Sequence, residues 1–305
     1  MHPTKLQGII PPMITPLKGD DELDREGTVR LTEHLVAGGV HAIFLLGTTG
    51  EAQSLTYRLR YEFVELVCRQ VAGRIPVLVG VTDTAFIESV RLAEHAAKCG
   101  AVGVVAAPPY YFAPSQQELI EYYTALADAL PLPLYLYNMP SHVKVFLEPA
   151  TVKTLAEHPN IVGLKDSSAN MTYFQTLLYH LGDNPDFSLY VGPEELTGEC
   201  VLLGADGGVN GGANIFPELY VAMYDAACAH DIARVREIQR RIMQISTSVY
   251  TVGKYGSSYL KGVKCALSLL GVCDDYLSYP YRKFRTEERA RIRQALEALG
   301  ANCNV

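Results

Sequence analysis

The chain has 305 residues, 49% of them hydrophobic and 19% charged, with a formal net charge of −7 and a pI near 5.6. This length suits one large α/β domain or two ordinary ones, and the composition supplies a sizeable core and excludes a disordered chain. The acidic balance argues against nucleic acid or an anionic membrane as a main partner, and no apolar run is long enough to span a bilayer.

The N-terminus, MHPTKLQGIIPP, has no apolar stretch followed by a small-residue cleavage site, so secretion is not expected. Strand-like runs then recur as GIIPPMI (8–14), VHAIFLL (40–46), IPVLVGV (75–81), AVGVVAA (101–107), LPLYLY (132–137), NIVGLK (160–165), FSLYVG (187–192) and DGGVNGG (206–212). Between them, LDREGTVRLTEHLVAGG, TYRLRYEFVELVCRQVAG, IESVRLAEHAAKCG and QQELIEYYTALADAL place apolar residues at helical intervals. From about Phe216 the chain reads as helical. Eight evenly spaced strand–helix units predict a (β/α)8 TIM barrel over 1–230, with a helical extension over 231–305 in the same domain. An open doubly wound sheet is the competitor, but no GxGxxG follows the first strand. The seven cysteines include no CxxC, which reads as free thiols in a reducing cytoplasm.

In such barrels the chemistry sits where strands end. Strand two ends in Gly47-Thr48-Thr49-Gly50-Glu51, strand four in Pro108-Pro109-Tyr110-Tyr111, strand five in Tyr137-Asn138-Met139-Pro140 and strand six in Lys165-Asp166. A lysine amine has a pKa of about 10.4, and desolvation inside a barrel disfavours its charged form. The free amine can then attack a ketone and form a Schiff base, whose iminium is an electron sink. A rim lysine paired with Asp166 in water is the alternative. Counting alternately, Gly163 shares the face of Lys165 and would leave space beside it. Tyr137, on the neighbouring strand end, can shuttle protons if hydroxyls such as Thr48, Thr49 or the Tyr110-Tyr111 pair relay them. Each of these tyrosines can equally be a core filler, and the threonines can serve a turn.

GTTGE lacks the ending of a P-loop, and neither HxH, HExxH nor GxSxG occurs, so no metal or cofactor is expected. The segment GADGGVNGGAN (204–214) can cradle phosphate or keep the barrel mouth roomy.

Together, Gly47-Thr48-Thr49-Gly50-Glu51, Tyr137-Asn138-x-Pro140 and Gly163-x-Lys165-Asp166 resemble the dihydrodipicolinate synthase / N-acetylneuraminate lyase family along the whole chain. The resemblance implies a class I lyase in which Lys165 forms a Schiff base with pyruvate or another 2-oxo acid. It makes Tyr137 the proton-moving phenol, Thr48 the relay hydroxyl, and Thr49 with Gly47 the carboxylate loop. It also makes Tyr111 a tyrosine that reaches across a dimer interface, and Val209 an apolar wall of the pyruvate pocket. It implies a homotetramer built as a dimer of dimers. The synthases of the family follow YNxP with Ser-Arg, and the arginine binds the aldehyde's carboxylate. Here Ser141-His142 stands there, and an imidazole cannot reproduce a bidentate guanidinium clamp.

The expected activity is therefore making or cleaving a carbon–carbon bond between pyruvate and an aldehyde. Alternatives are dihydrodipicolinate synthase activity itself, 2-keto-3-deoxy sugar-acid dehydration, and a non-catalytic binding paralogue.

Overall fold

The computed structural model describes residues 5–303. The secretion reading of the N-terminus rests in part on residues 1–4, which lie outside them.

Eight parallel strands occur where the apolar runs predict them: β1 (Gly8–Ile9), β2 (Ile43–Leu45), β3 (Val77–Gly80), β4 (Gly103–Ala106), β5 (Leu134–Asn138), β6 (Ile161–Asp166), β7 (Ser188–Val191) and β8 (Gly207–Gly208). Neighbours in sequence are neighbours in the sheet from β2 to β8, and β8 pairs with β1. The circle closes through Pro12, which bridges to Phe44 on β2, with the Phe44 N–H donating to Pro11 O at 3.0 Å and the Met13 N–H to Phe44 O at 2.9 Å. The doubly wound alternative is thereby excluded.

The first strand is shorter than the run 8–14 suggests. Pro11 and Pro12 have no N–H to give, so the ladder breaks into two residues against β8 and a bridge to β2. Closure also needs glycine on both sides of the seam. A Cβ on Gly207 would lie 1.9 Å from the Gly8 carbonyl oxygen, and one on Gly8 would lie 2.2 Å from the His41 ring.

The helices α1 (Arg25–Ala37), α2 (Tyr57–Val71), α3 (Phe86–Lys98) and α4 (Gln116–Ala129) match the four periodic segments. Their starts are capped as the sequence allows: Asp24, Thr56 and Ser115 each accept a backbone N–H three residues on. After them come α5 (Pro149–Leu155), α6 (Met171–Leu181), α7 (Thr197–Leu202) and α8 (Pro217–Cys228). Three further helices, α9 (Ile232–Ser248), α10 (Ser258–Leu269) and α11 (Thr286–Ala298), form the C-terminal end. Among the described residues no helix is long and apolar enough to cross a membrane.

The period of two along each strand divides the core. Leu134, Leu136 and Leu164 face the helices, whereas Phe44, Leu78, Val105, Tyr135, Tyr137 and Tyr190 fill the barrel interior. The register between β5 and β6 sets Tyr135 opposite Gly163 and Tyr137 opposite Lys165. Lys165 therefore belongs to the interior face.

Candidate active site at the barrel mouth

Lys165 is the penultimate residue of β6, with only 6% of its surface exposed. Its Nζ stands 4.1 Å from the centroid of the Tyr137 ring and 5.4 Å from that of Phe44. Asp166, one residue on, faces the other way. Its carboxylate accepts from Asn138 Nδ2 at 2.8 Å, Ser168 N at 3.0 Å and Ser168 Oγ at 2.9 Å. Burial pushes the Asp166 carboxyl up against those hydrogen bonds. Among the described residues Lys165 makes no ion pair, so the rim lysine held by Asp166 is not what the fold contains.

Tyr137 is buried beside the amine, and its Oη lies 3.3 Å from Thr48 Oγ1. Burial alone would raise the phenol's pKa. The Lys165 charge and hydrogen bonds with Thr48, Lys165 and Ser167 outweigh it and leave the phenol below its usual value. A phenol so placed can exchange a proton with a reacting oxygen near Lys165. Tyr137→Phe keeps the ring that lies against Lys165 and removes the proton. The expected result is a fall in turnover of about 10²–10⁴-fold with an unchanged thermal midpoint, checked by steady-state assay and calorimetry.

The loop after β2 carries Gly47, Thr48 and Thr49 to the mouth. Thr49 Oγ1 lies 3.2 Å from the Oη of Tyr259, a residue of α10. Glu51 adopts a left-handed φ of 56° and turns away from the cavity. It pairs with Lys264 of α10, which is 0% exposed, and accepts the Ser278 N–H at 2.8 Å. Lys264 Nζ also donates to Tyr276 O at 2.7 Å. The mouth loop is thus tied to the C-terminal helices by a desolvated charge pair.

The mouth holds two lobes that share Thr48, Tyr137, Met139 and His142. One, about 270 Å³, is largely apolar and adds Phe44, Leu46, Gly47, Tyr110 and Val143. The other, about 350 Å³, contains Lys165, Thr49, Ser167, Val209, Glu194, Glu195, Tyr250 and Tyr259. Of the residues lining either lobe, Lys165 is the only lysine or arginine. His142 sits at the rim with Nδ1 3.0 Å from Ser141 Oγ, and desolvation and the Lys165 charge hold its imidazole below its usual pKa. Among the described residues no group of three or more His, Cys, Asp or Glu side chains converges as a metal site.

The structure thus brings together Lys165, Tyr137, Thr48, Thr49, Gly47, Val209 and His142. It leaves Tyr111 outside: that side chain is 76% exposed, edge-on to Phe112, while Tyr110 lines the apolar lobe. Two expectations about space need correcting. Gly163 leaves no room beside the lysine, because a Cβ there would lie 2.7 Å from the Tyr135 ring and from the Ser188 carbonyl oxygen. Two glycines of 204–214, Gly211 and Gly212, make room for tyrosine hydroxyls rather than for phosphate. A Cβ on Gly211 would meet Tyr259 Oη at 1.6 Å, and one on Gly212 would meet Tyr220 Oη at 2.0 Å.

Residues missed in the sequence complete the open lobe. Glu194 and Glu195 follow the end of β7, where the strand-end rule points to them. Tyr250 and Tyr259 carry no such signal, since only the packing of the C-terminal helices delivers them. Glu194 is buried and accepts from Tyr220 Oη at 2.5 Å, Tyr250 Oη at 2.7 Å and Gly212 N at 2.7 Å. Burial outweighs these donors and pushes its carboxyl up to about 7. The folded protein therefore keeps a proton that the unfolded chain releases near 4.5, so this group's contribution to stability declines as pH rises from about 4.5 to about 7. The expected loss is on the order of 3 kcal/mol. Urea unfolding at pH 5 and pH 8 checks it, and Glu194→Gln should flatten the difference.

A model of the dihydrodipicolinate synthetase family matches residues 5–299. A solved structure named dihydrodipicolinate synthase, from Bacteroides thetaiotaomicron, is 60% identical and covers 96% of this chain and 98% of its own, with a TM-score of 0.94. YagE from Escherichia coli K12, described as a prophage protein of the dihydrodipicolinic acid synthase family in complex with pyruvate, is 31% identical over 96% of this chain and 98% of its own, with a TM-score of 0.91. A probable 2-dehydro-3-deoxy-D-pentonate aldolase of Escherichia coli is 31% identical over 299 residues, 97% of this chain and 98% of the relative. These matches bear out the expected barrel fold and the expected Schiff-base lyase chemistry on pyruvate and an aldehyde. By its match over residues 5–299, this chain belongs to the dihydrodipicolinate synthetase family.

Proposed function

We propose that the enzyme joins pyruvate to a neutral hydroxyaldehyde, or cleaves the resulting 2-keto-3-deoxy acid, through a Schiff base on Lys165. The observation that carries this reading is the charge pattern of the mouth: one buried amine at the reacting centre and no second cation lining either lobe. Lys165 Nζ attacks C2 of pyruvate, and Tyr137 gives a proton to the carbinolamine oxygen, which leaves as water. The Tyr137 phenolate takes a C3 proton as the iminium draws the electrons, the enamine so formed attacks the aldehyde carbon, and the aldehyde oxygen takes that proton back from Tyr137. Hydrolysis then frees the lysine. Thr48 relays the Tyr137 proton, Thr49 and Gly47 hold the pyruvate carboxylate, and Val209 lies against its methyl group. An aldehyde bearing a second carboxylate would find no cation besides Lys165 and would meet the acidic side chains of Glu194 and Glu195, whereas hydroxyl groups would find acceptors there. Exposed Tyr111 and Phe112 support a homotetramer in which Tyr111 serves a neighbouring copy, and the seven free cysteines support a cytoplasmic setting.

The synthase reading is favoured by the name of the 60% identical structure. Pyruvate consumption assayed with glyceraldehyde, glycolaldehyde and aspartate semialdehyde separates the two. We expect kcat/KM for a neutral aldehyde to exceed that for the semialdehyde by about tenfold or more, and His142→Arg to narrow the gap. A preference for the semialdehyde in the unaltered protein would establish the synthase instead. Water loss from a 2-keto-3-deoxy sugar acid without carbon–carbon cleavage would mark a dehydratase.

A further inference from the structure

Apart from the barrel mouth, the C-terminal helices enclose a cleft of about 560 Å³. It is lined by the loop residues Gly253, Lys254 and Tyr255, by Lys261 of α10, and by the segment that leads from Arg282 into α11. Five of its nine lining residues are cations, Lys254, Lys261, Arg282, Lys283 and Arg285, on a chain whose net charge is −7. The single acid, Glu288, is already engaged, since its Oε2 accepts the Arg285 N–H at 3.1 Å. Lys283 reaches Asp275 at 3.5 Å, and Arg282 spends one guanidinium N–H on Tyr279 Oη at 2.9 Å. Among the described residues Lys254, Lys261, Arg282 and Arg285 form no ion pair. Lys261 is half-buried, with its ammonium 5.9 Å from the centroid of the Phe284 ring.

Like charges gathered in a groove with apolar walls focus a positive potential and repel one another, and a multivalent anion relieves both effects. Ammonium groups mixed with guanidinium forks suit phosphate oxygens, and the volume falls within the roughly 300–1,000 Å³ typical of small-molecule sites. The same loop serves the barrel mouth. Tyr250, Gly256 and Tyr259 line the Lys165 lobe, where Tyr250 holds Glu194 at 2.7 Å and Tyr259 meets Thr49 at 3.2 Å. We propose that this cleft binds a phosphate-bearing small anion, and that its occupancy is transmitted to the Lys165 pocket through the loop between Tyr250 and Tyr259.

Calorimetric titration of the full-length protein with pyrophosphate, and with sulfate as a smaller anion, tests the site. Pyrophosphate should bind more tightly than sulfate, less tightly as salt rises, and about tenfold more weakly to a Lys254→Gln/Arg282→Gln double variant. Both residues are exposed, so the variant should keep its thermal midpoint, and Lys254→Arg should keep the affinity. No binding, or equal binding to the double variant, would overturn the site. Transmission is read by borohydride trapping of pyruvate, where pyrophosphate should change the rate by about twofold or more in the unaltered protein and not in the double variant. Binding with no change in trapping would overturn the transmission. Neither arm uses an aldehyde, so failure here is distinct from failure of the substrate assignment above.

Discussion

Lys165→Ala is expected to abolish formation of a borohydride-stable pyruvate adduct and to lower turnover by about a thousandfold or more. The expectation rests on the placement of the amine. It is buried on the interior face of β6, against Tyr137, with no carboxylate partner among the described residues. Reduction with borohydride in the presence of pyruvate, followed by peptide mass mapping, should put the adduct on Lys165 in the native protein alone. An adduct spread equally over the surface lysines, or one that persists in the alanine variant, would remove Lys165 from the chemistry. Absence of any adduct in the unaltered protein would point to a binding paralogue that keeps the barrel without the reaction.

The second large effect lies away from the reacting atoms. Lys264→Met should lower unfolding stability by about 3–5 kcal/mol, because Glu51 would stay buried with its main countercharge gone. That is a large share of the roughly 5–15 kcal/mol that holds a domain folded. The same change should slow pyruvate trapping in protein that is still folded, since Glu51 ends the loop that presents Thr48 and Thr49. Urea midpoints and trapping rates measure the two effects. Adding Glu51→Gln to the lysine variant removes the stranded charge and should recover part of the stability. An unchanged midpoint in the single variant would show that the pair contributes little.

Such a pair illustrates what local pattern leaves open. GTTGE reads in the sequence as a glycine-rich turn able to approach a carboxylate, and the turn is where that reading places it. That its glutamate points backwards into α10 depends on a contact 213 positions away along the chain. Tyr250 and Tyr259 are alike in this respect. In the sequence they are two of 19 tyrosines in a helical stretch, and only helix packing brings their hydroxyls to Glu194 and Thr49.

By itself the sequence determines the eight strand-like runs, their alternation with helices, and that Lys165 and Tyr137 stand near neighbouring strand ends; register and packing decide that both point inward. Short apolar runs alternating with helical periods admit few other arrangements, and a period of two assigns each strand residue to a face. It also determines that His142 follows the YNxP motif in the arginine's place. Tertiary structure alone decides how space is used. The open side of Gly163 is taken by the Tyr135 ring, Gly211 yields to the Tyr259 hydroxyl of α10, and Gly212 yields to the Tyr220 hydroxyl of α8. Side-chain volume is filled by whichever neighbour the closed barrel brings near, and that neighbour is set by register and packing rather than by adjacency in the chain.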